Sequence, residues 1–268
     1  MIPNILSIAG SDPSGGAGIQ ADIKAISANG GYAMAAITGL TAQNTTGVQD
    51  VAMVAPDMIA QQIASIRSDI DIHAVKIGML GDTATIETVA RALEGLTAPI
   101  VLDPVMVAKG GDRLLAAEAV EALRTHLLPR ATLLTPNLPE AADLLGVTEA
   151  TTLAQMHKQA QQLLALNGKA VFLKGGHLKD ADAIDLLVTA ESTTELPAKR
   201  TKTRNTHGTG CTLSSALATQ IGHGHPLPDA AARAKAYITA AIAAADTLSV
   251  GHGHGPVHHF HALTKATT

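Results

Sequence analysis

Short runs of β-branched and aliphatic residues alternate along the chain with longer, alanine-rich stretches whose apolar positions recur every three or four residues. The first pattern predicts buried strands and the second amphipathic helices. Strands are expected at 5–9, 32–38, 48–54, 74–79, 100–103, 132–135 and 170–174, with 184–189 and 193–199 forming a hairpin at one edge. Helices are expected at 17–29, 56–68, 82–94, 112–126, 137–145, 152–166, 210–221 and 229–248. Local signals fix several ends: Gly30-Gly31 closes the first helix, Pro56 opens the second, and the breaker from Gly222 to Pro226 separates the last two. Strand-helix alternation of this kind predicts an α/β fold with a mostly parallel sheet covered on both faces. A length of 268 residues with 46% hydrophobic content suits one domain spanning 1–268.

Composition narrows the function. A net charge of -4, without any long basic run, argues against a nucleic-acid partner. Only the short cluster Lys199 to Arg204 is basic, and it precedes a glycine-rich junction where it would steer an anion or simply lie in a solvated loop. No apolar stretch reaches the roughly 20 residues of a membrane span, and a single cysteine excludes an internal disulfide. Without a secretory pattern at the N-terminus, the expected location is cytoplasmic. Closely spaced histidines at 223, 225, 252, 254, 258, 259 and 261 invite a metal reading, but their glycine spacers argue against a preorganised site.

Chemistry concentrates at the C-terminal ends of the expected strands, where open parallel sheets bind ligands. The junction Asn205-Thr206-His207-Gly208-Thr209-Gly210-Cys211 leads into a helix, so Gly208, Thr209 and Gly210 offer backbone donors and a positive dipole end to a phosphate. Cys211 then stands at a helix start, where a thiol pKa is expected to fall and a thiolate to serve as base or nucleophile; an ordinary loop with a buried cysteine is equally compatible with these residues. Asn137 and Glu140 have the spacing of a capping box, and their amide and carboxylate oxygens are donors of the kind Mg²⁺ favours. Asp103 would add negative charge near such an ion, and Lys174 a point charge for a polyphosphate.

A second glycine-rich loop, Gly10-Ser11-Asp12-Pro13-Ser14-Gly15-Gly16-Ala17-Gly18, follows the first strand. Together with Asp103-Pro104-Val105, Asn137-Leu138-Pro139-Glu140, Lys174-Gly175-Gly176-His177 and the Gly-Thr-Gly-Cys junction, it resembles the ribokinase-like family of small-molecule kinases over nearly the whole chain. Within that family the pattern is most similar to the pyrimidine-alcohol kinases of thiamine biosynthesis. The resemblance implies a three-layer α/β/α fold, ATP and Mg²⁺ as cofactors, and a homodimer. It also implies a small pyrimidine alcohol and its monophosphate as substrates. Cys211 becomes the catalytic residue, supplying base character or orienting the alcohol. Gln43, placed in a polar loop after the second strand, becomes the substrate reader, with Gly10, Ala17, Asp22, Met79 and Val105 lining the ring pocket. Asn137, Lys174, Thr206 and His207 would face the nucleotide, and Glu140 and Asp103 the metal. A pyridoxal or pyridoxine kinase of the same fold is the alternative, and a non-catalytic ligand-binding regulator is the second. A dinucleotide oxidoreductase is disfavoured, since the loop from Gly10 to Gly18 lacks the Gly-x-Gly-x-x-Gly order.

Overall fold

The computed structural model describes residues 1–106, 115–116, 118–178 and 182–263. Nine strands form one sheet: β1 (Asn4–Ser11), β2 (Tyr32–Asn44), β3 (Gly47–Met53), β4 (Ala74–Ile77), β5 (Ile100–Leu102), β6 (Leu133–Leu134), β7 (Ala170–Leu173), β8 (Asp185–Thr189) and β9 (Thr193–Leu196). Their order is β3-β2-β1-β4-β5-β6-β7-β8-β9, parallel from β2 to β7 and antiparallel at both edges. Eight α-helices accompany them: α1 (Gly18–Ala28), α2 (Pro56–Arg67), α3 (Thr83–Ala92), α4 (Ala119–Ala122), α5 (Leu138–Leu145), α6 (Leu153–Asn167), α7 (Thr209–Gly222) and α8 (Leu227–Ala243).

Successive strand residues point to opposite faces, so nearly continuous apolar runs are what a sheet buried on both sides requires. Leu6, Val75, Leu102, Leu134 and Val171 pack into a core under α2 to α6. Their neighbours Ile5, Ala74, Val101, Leu133 and Phe172 pack against α1, α7 and α8. The result is the expected three-layer arrangement.

Two expectations need correction. The strand anticipated at 32–38 continues to Asn44, because Gly39 to Asn44 pair antiparallel with β3. That extension is exposed at alternate positions and half-buried between them, so it has no apolar alternation and reads as a polar loop. The helix anticipated at 112–126 begins among residues outside the described set; its described part is a single α turn, α4, continuing as a π turn at Leu123–Leu127 and a 3₁₀ turn at Leu128–Arg130.

Candidate active site

The parallel strands all end on one rim. Ser11 ends β1, Met79 lies just after β4, Asp103 after β5, Asn137 after β6 and Lys174 after β7. Against this rim stand the N-termini of α1 and α7, which pack side by side. Together they line a cleft of about 800 Å³, a size suited to a nucleotide with a second small ligand.

The anion end is built on Gly208. It caps α7 with φ of +74°, a conformation that favours glycine, and an added Cβ would collide with the Gly16 carbonyl. No side chain caps α7, which leaves its positive end directed into the cleft. Thr209 Oγ1 donates to the Thr206 carbonyl at 2.7 Å and steadies the turn.

Beside that helix end lies a charge cluster. Lys174 Nζ is 2.7 Å from Asp103 Oδ1 and 3.7 Å from Glu140 Oε2. Burial works against the charge of Lys174, but the two carboxylates outweigh it and raise its pKa above the usual lysine value. Burial also opposes ionisation of Asp103, yet Lys174 and Lys76, with a hydrogen bond from Thr135, hold its carboxyl below the usual range. Ser214 Oγ donates to its other oxygen at 3.2 Å. Glu140 goes the other way: burial and the Asp103 charge push its pKa up to about 7 despite Lys174. The capping box is real as well. Asn137 Oδ1 accepts from the Glu140 amide and Glu140 Oε2 from the Asn137 amide, both at 2.8 Å.

Cys211 overturns its expectation. Although it stands in the first turn of α7 and remains reachable from the cleft, burial pushes its thiol pKa up to about 11. The Lys76 ammonium and a backbone hydrogen bond at Gly18 pull downward, but burial dominates and Asp22 and Asp103 push upward with it. At neutral pH the resting group is therefore a thiol.

Asp22 is also displaced from its anticipated role. It is fully buried beneath the cleft, where it pairs with Lys76 at 2.8 Å and accepts from Ser7 Oγ at 2.6 Å and Ser215 Oγ at 2.8 Å. With Lys76 reaching both of its oxygens, at 2.8 and 2.9 Å, four donated contacts leave it no free face for a substrate. It holds Lys76, whose ammonium keeps its charge against full burial because the Asp22 and Asp103 carboxylates lie beside it. Gly10, Ala17, Gln43, Met79 and Val105 do line the cleft. Gln43 lies on β2 rather than in a loop, with Oε1 accepting from Thr41 Oγ1 at 3.1 Å. Thr206 and His207 line the cleft too, but His207 Nε2 is engaged with Asp12 Oδ2 at 2.7 Å. Burial of Asp12 disfavours its charge, yet hydrogen bonds from His207 and Ser14 hold its carboxyl below the ordinary value.

Three buried pairs escaped sequence reading. Lys76 carried a usable signal, a lysine inside the apolar run Ala74-Val75-Lys76-Ile77. The Asp12–His207 clasp joins residues 195 positions apart, and the Asp185–Lys235 pair (2.6 Å) residues 50 apart, so neither has a local signature. Asp185 also accepts from the Gly175 amide at 2.8 Å and thereby fixes the loop after Lys174. Arg200, from the basic cluster, donates to the carbonyls of Gly176 and Leu178 in that loop.

Oxygen donors alone converge near Lys174, which suits a hard cation that keeps most of its water. Among the described residues no group of three His, Cys, Asp or Glu side chains is placed to hold a metal, so an ion here would be shared with ligand phosphates. The C-terminal histidines form no such group either.

A family model described as phosphomethylpyrimidine kinase matches residues 12–258. The chain is 52% identical over 260 residues to the hydroxymethylpyrimidine/phosphomethylpyrimidine kinase of Salmonella typhimurium, covering 97% of this chain and 98% of that one. It is equally similar, with the same coverage, to the enzyme of that name from Escherichia coli, at 52%. Among solved structures, the ADP complex of Bacillus subtilis pyridoxal kinase superposes with a TM-score of 0.91 at 37% identity, covering 99% of this chain and 100% of that one. The phosphomethylpyrimidine kinase of Clostridium difficile gives 0.79 at 40% identity, with 90% and 99% covered.

Proposed function

Because the chain belongs to the phosphomethylpyrimidine kinase family, we propose that it phosphorylates 4-amino-5-hydroxymethyl-2-methylpyrimidine and then the resulting monophosphate, using ATP. The product is the diphosphate consumed in thiamine biosynthesis. The observation that carries this reading is the meeting of an uncapped helix end, a buried Lys174–Asp103–Glu140 cluster and a cleft-facing cysteine in one cavity.

Phosphoryl transfer asks mainly for alignment and charge neutralisation. The bond between the γ-phosphorus and the bridging oxygen of ATP breaks as the bond to the substrate oxygen forms; ADP leaves, and the alcohol proton passes to the transferred phosphoryl oxygens and from there to water. The first turn of α7 receives the negative charge of the transferred group, with Lys174 neutralising it from the side. Cys211, entering as a thiol, orients the hydroxymethyl group toward that phosphorus, since a loose transition state needs little early removal of the alcohol proton. Gln43 pairs its carboxamide with the amino group and ring nitrogen of the pyrimidine. Asp103, Glu140 and Asn137 would hold Mg²⁺, which when bound neutralises charge on the nucleotide phosphates.

We also place the protein in the cytoplasm as a homodimer. No helix among the described residues is long and apolar enough to cross a membrane. The β2–β3 ribbon exposes Leu40, Val51 and Met53 and carries exposed residues along most of β3. Two strands projecting without cover are marginal in water, so a second copy is the natural partner.

A second reading, pyridoxal kinase, is favoured by the superposition on the Bacillus subtilis enzyme. A panel of both alcohols with ATP separates the two. Gln43 matches the aminopyrimidine edge, whereas pyridoxine offers a hydroxymethyl and a hydroxyl there, so kcat/KM should favour the pyrimidine by at least about tenfold. Gln43→Leu should remove most of that preference. Equal or faster turnover of pyridoxine by the wild-type enzyme would replace the primary reading.

A further inference from the structure

The segment Gly251-His252-Gly253-His254-Gly255-Pro256-Val257 crosses between two parts of the cleft that are far apart in sequence. Its first half lies on Thr45, a turn residue of the β2–β3 hairpin that carries Gln43. The His254 amide donates to the Thr45 carbonyl at 2.8 Å, and the Gly253 amide to Thr45 Oγ1 at 3.1 Å. Its second half lies on the anion junction. The Gly255 amide donates to Asn205 Oδ1 at 3.1 Å, and the Gly255 carbonyl accepts from the His207 amide at 3.0 Å. His207 and Pro256 then form a parallel bridge.

The alternating glycines follow from these contacts. A Cβ at Gly251 would collide with the Thr45 side chain, and one at Gly253 with the Thr45 carbonyl. One at Gly255 would come within 2.5 Å of Asn205 Oδ1, on a side chain held by Asp246 at 2.7 Å. The histidines between them, His252 and His254, are exposed. Within 251–255, glycine therefore stands at each position that presses on Thr45 or Asn205, and exposed histidines alternate with it.

We infer that this strap is a positioning element which fixes the substrate-reading hairpin at a set distance from the phosphate junction, making Gly253 and Gly255 determinants of alcohol and nucleotide handling respectively. The kinetic part rests on the reading of Gln43 given above; the mechanical part does not. Each half of the strap serves one ligand. Displacing the hairpin turn moves Gln43, and displacing Asn205 moves the residues leading into Gly208.

Two-substrate kinetics on single variants test this, with ATP and 4-amino-5-hydroxymethyl-2-methylpyrimidine as probes. Gly253→Ala should raise KM for the alcohol by at least about tenfold while leaving KM for ATP within about threefold. Gly255→Ala should do the reverse, raising KM for ATP or lowering kcat by about tenfold with the alcohol KM little changed. Thr45→Ala should not restore Gly253→Ala, whose clash is with the Thr45 backbone. A merely structural strap would lower thermal stability and active fraction without that split; equal changes in both KM values, or rescue of Gly253→Ala by Thr45→Ala, would overturn the inference. Should the wild-type enzyme not turn over the pyrimidine, the substrate reading fails. Hydrogen exchange at the amides of 43–48 then decides the strap separately: roughly tenfold faster exchange in Gly253→Ala upholds the mechanical link, and unchanged exchange refutes it.

Discussion

Cys211 shows how a single residue is governed by its surroundings. A helix N-terminus favours a thiolate, yet removal from water raises the pKa to about 11, so the neutral form prevails at physiological pH. An enzyme that depended on the resting thiolate would gain about tenfold in kcat per pH unit between pH 7 and 9. The orienting role assigned here makes kcat nearly flat over that interval, which stopped-flow measurement of ADP release across pH would check. Cys211→Ala should lower kcat by about 10²-fold through misplacement of the alcohol. Cys211→Ser, which keeps a hydrogen-bonding atom, should lose less.

At the scale of elements, α5 does two things with one side chain. Its Glu140 carboxylate closes the capping box on Asn137 and at the same time stands 3.7 Å from Lys174 at the proposed ion site. Glutamine can accept the same amide hydrogen bond, so Glu140→Gln retains the cap while removing the charge. Its melting temperature should stay within about 2–4 °C of the wild type, a change of about 1 kcal/mol for a domain of this class. Its activity should fall and be partly recovered by raising Mg²⁺. Calorimetry beside a Mg²⁺ titration of the rate would show this; lost stability with an unaltered Mg²⁺ requirement would reduce Glu140 to a cap. A comparable joining of elements occurs where Asp12 binds His207, since that pair aligns the loop before α1 with the loop before α7.

For the whole molecule, acid stability has an identifiable contributor. His259 packs against α7 with Nε2 3.0 Å from Thr212 Oγ1. Burial, helped by the nearby charges of Lys24 and His258, depresses its pKa to about 4. Between that value and the usual 6.5 the unfolded chain binds the proton and the folded one does not. Stability from this group is thus fully present above pH 6.5 and is lost as pH falls toward 4, by up to about 3 kcal/mol. Urea unfolding of His259→Asn at several pH values should show the variant gain stability relative to the wild type, by up to about 3 kcal/mol, as pH falls from 6.5 toward 4, because asparagine does not titrate. Association is testable at the same scale: Val51→Glu on the exposed ribbon should convert a dimer to a monomer in sedimentation, as a buried charge would oppose pairing. A wild-type monomer at micromolar concentration would remove the dimer proposal.

The layered α/β architecture, the rim on which the site stands and the glycine-rich junction before α7 are all legible in the chain alone. Those features are local: apolar runs mark a sheet buried on both faces, and glycine before a helix marks an open anion end. Tertiary structure decided the protonation of Cys211, the diversion of Asp22 to Lys76 and the pairing of Asp12 with His207. Each depends on desolvation or charge contributed by groups distant in the chain, which no window of neighbours contains. Gln43 illustrates both limits. Its presence near the second strand was legible, but its place within β2 was not, because that strand extension lacks the apolar alternation that burial imposes. The repeated glycine and histidine near the C-terminus acquired a meaning only once Thr45 and Asn205 were seen against it, since close backbone approach is a property of two segments and not of either one.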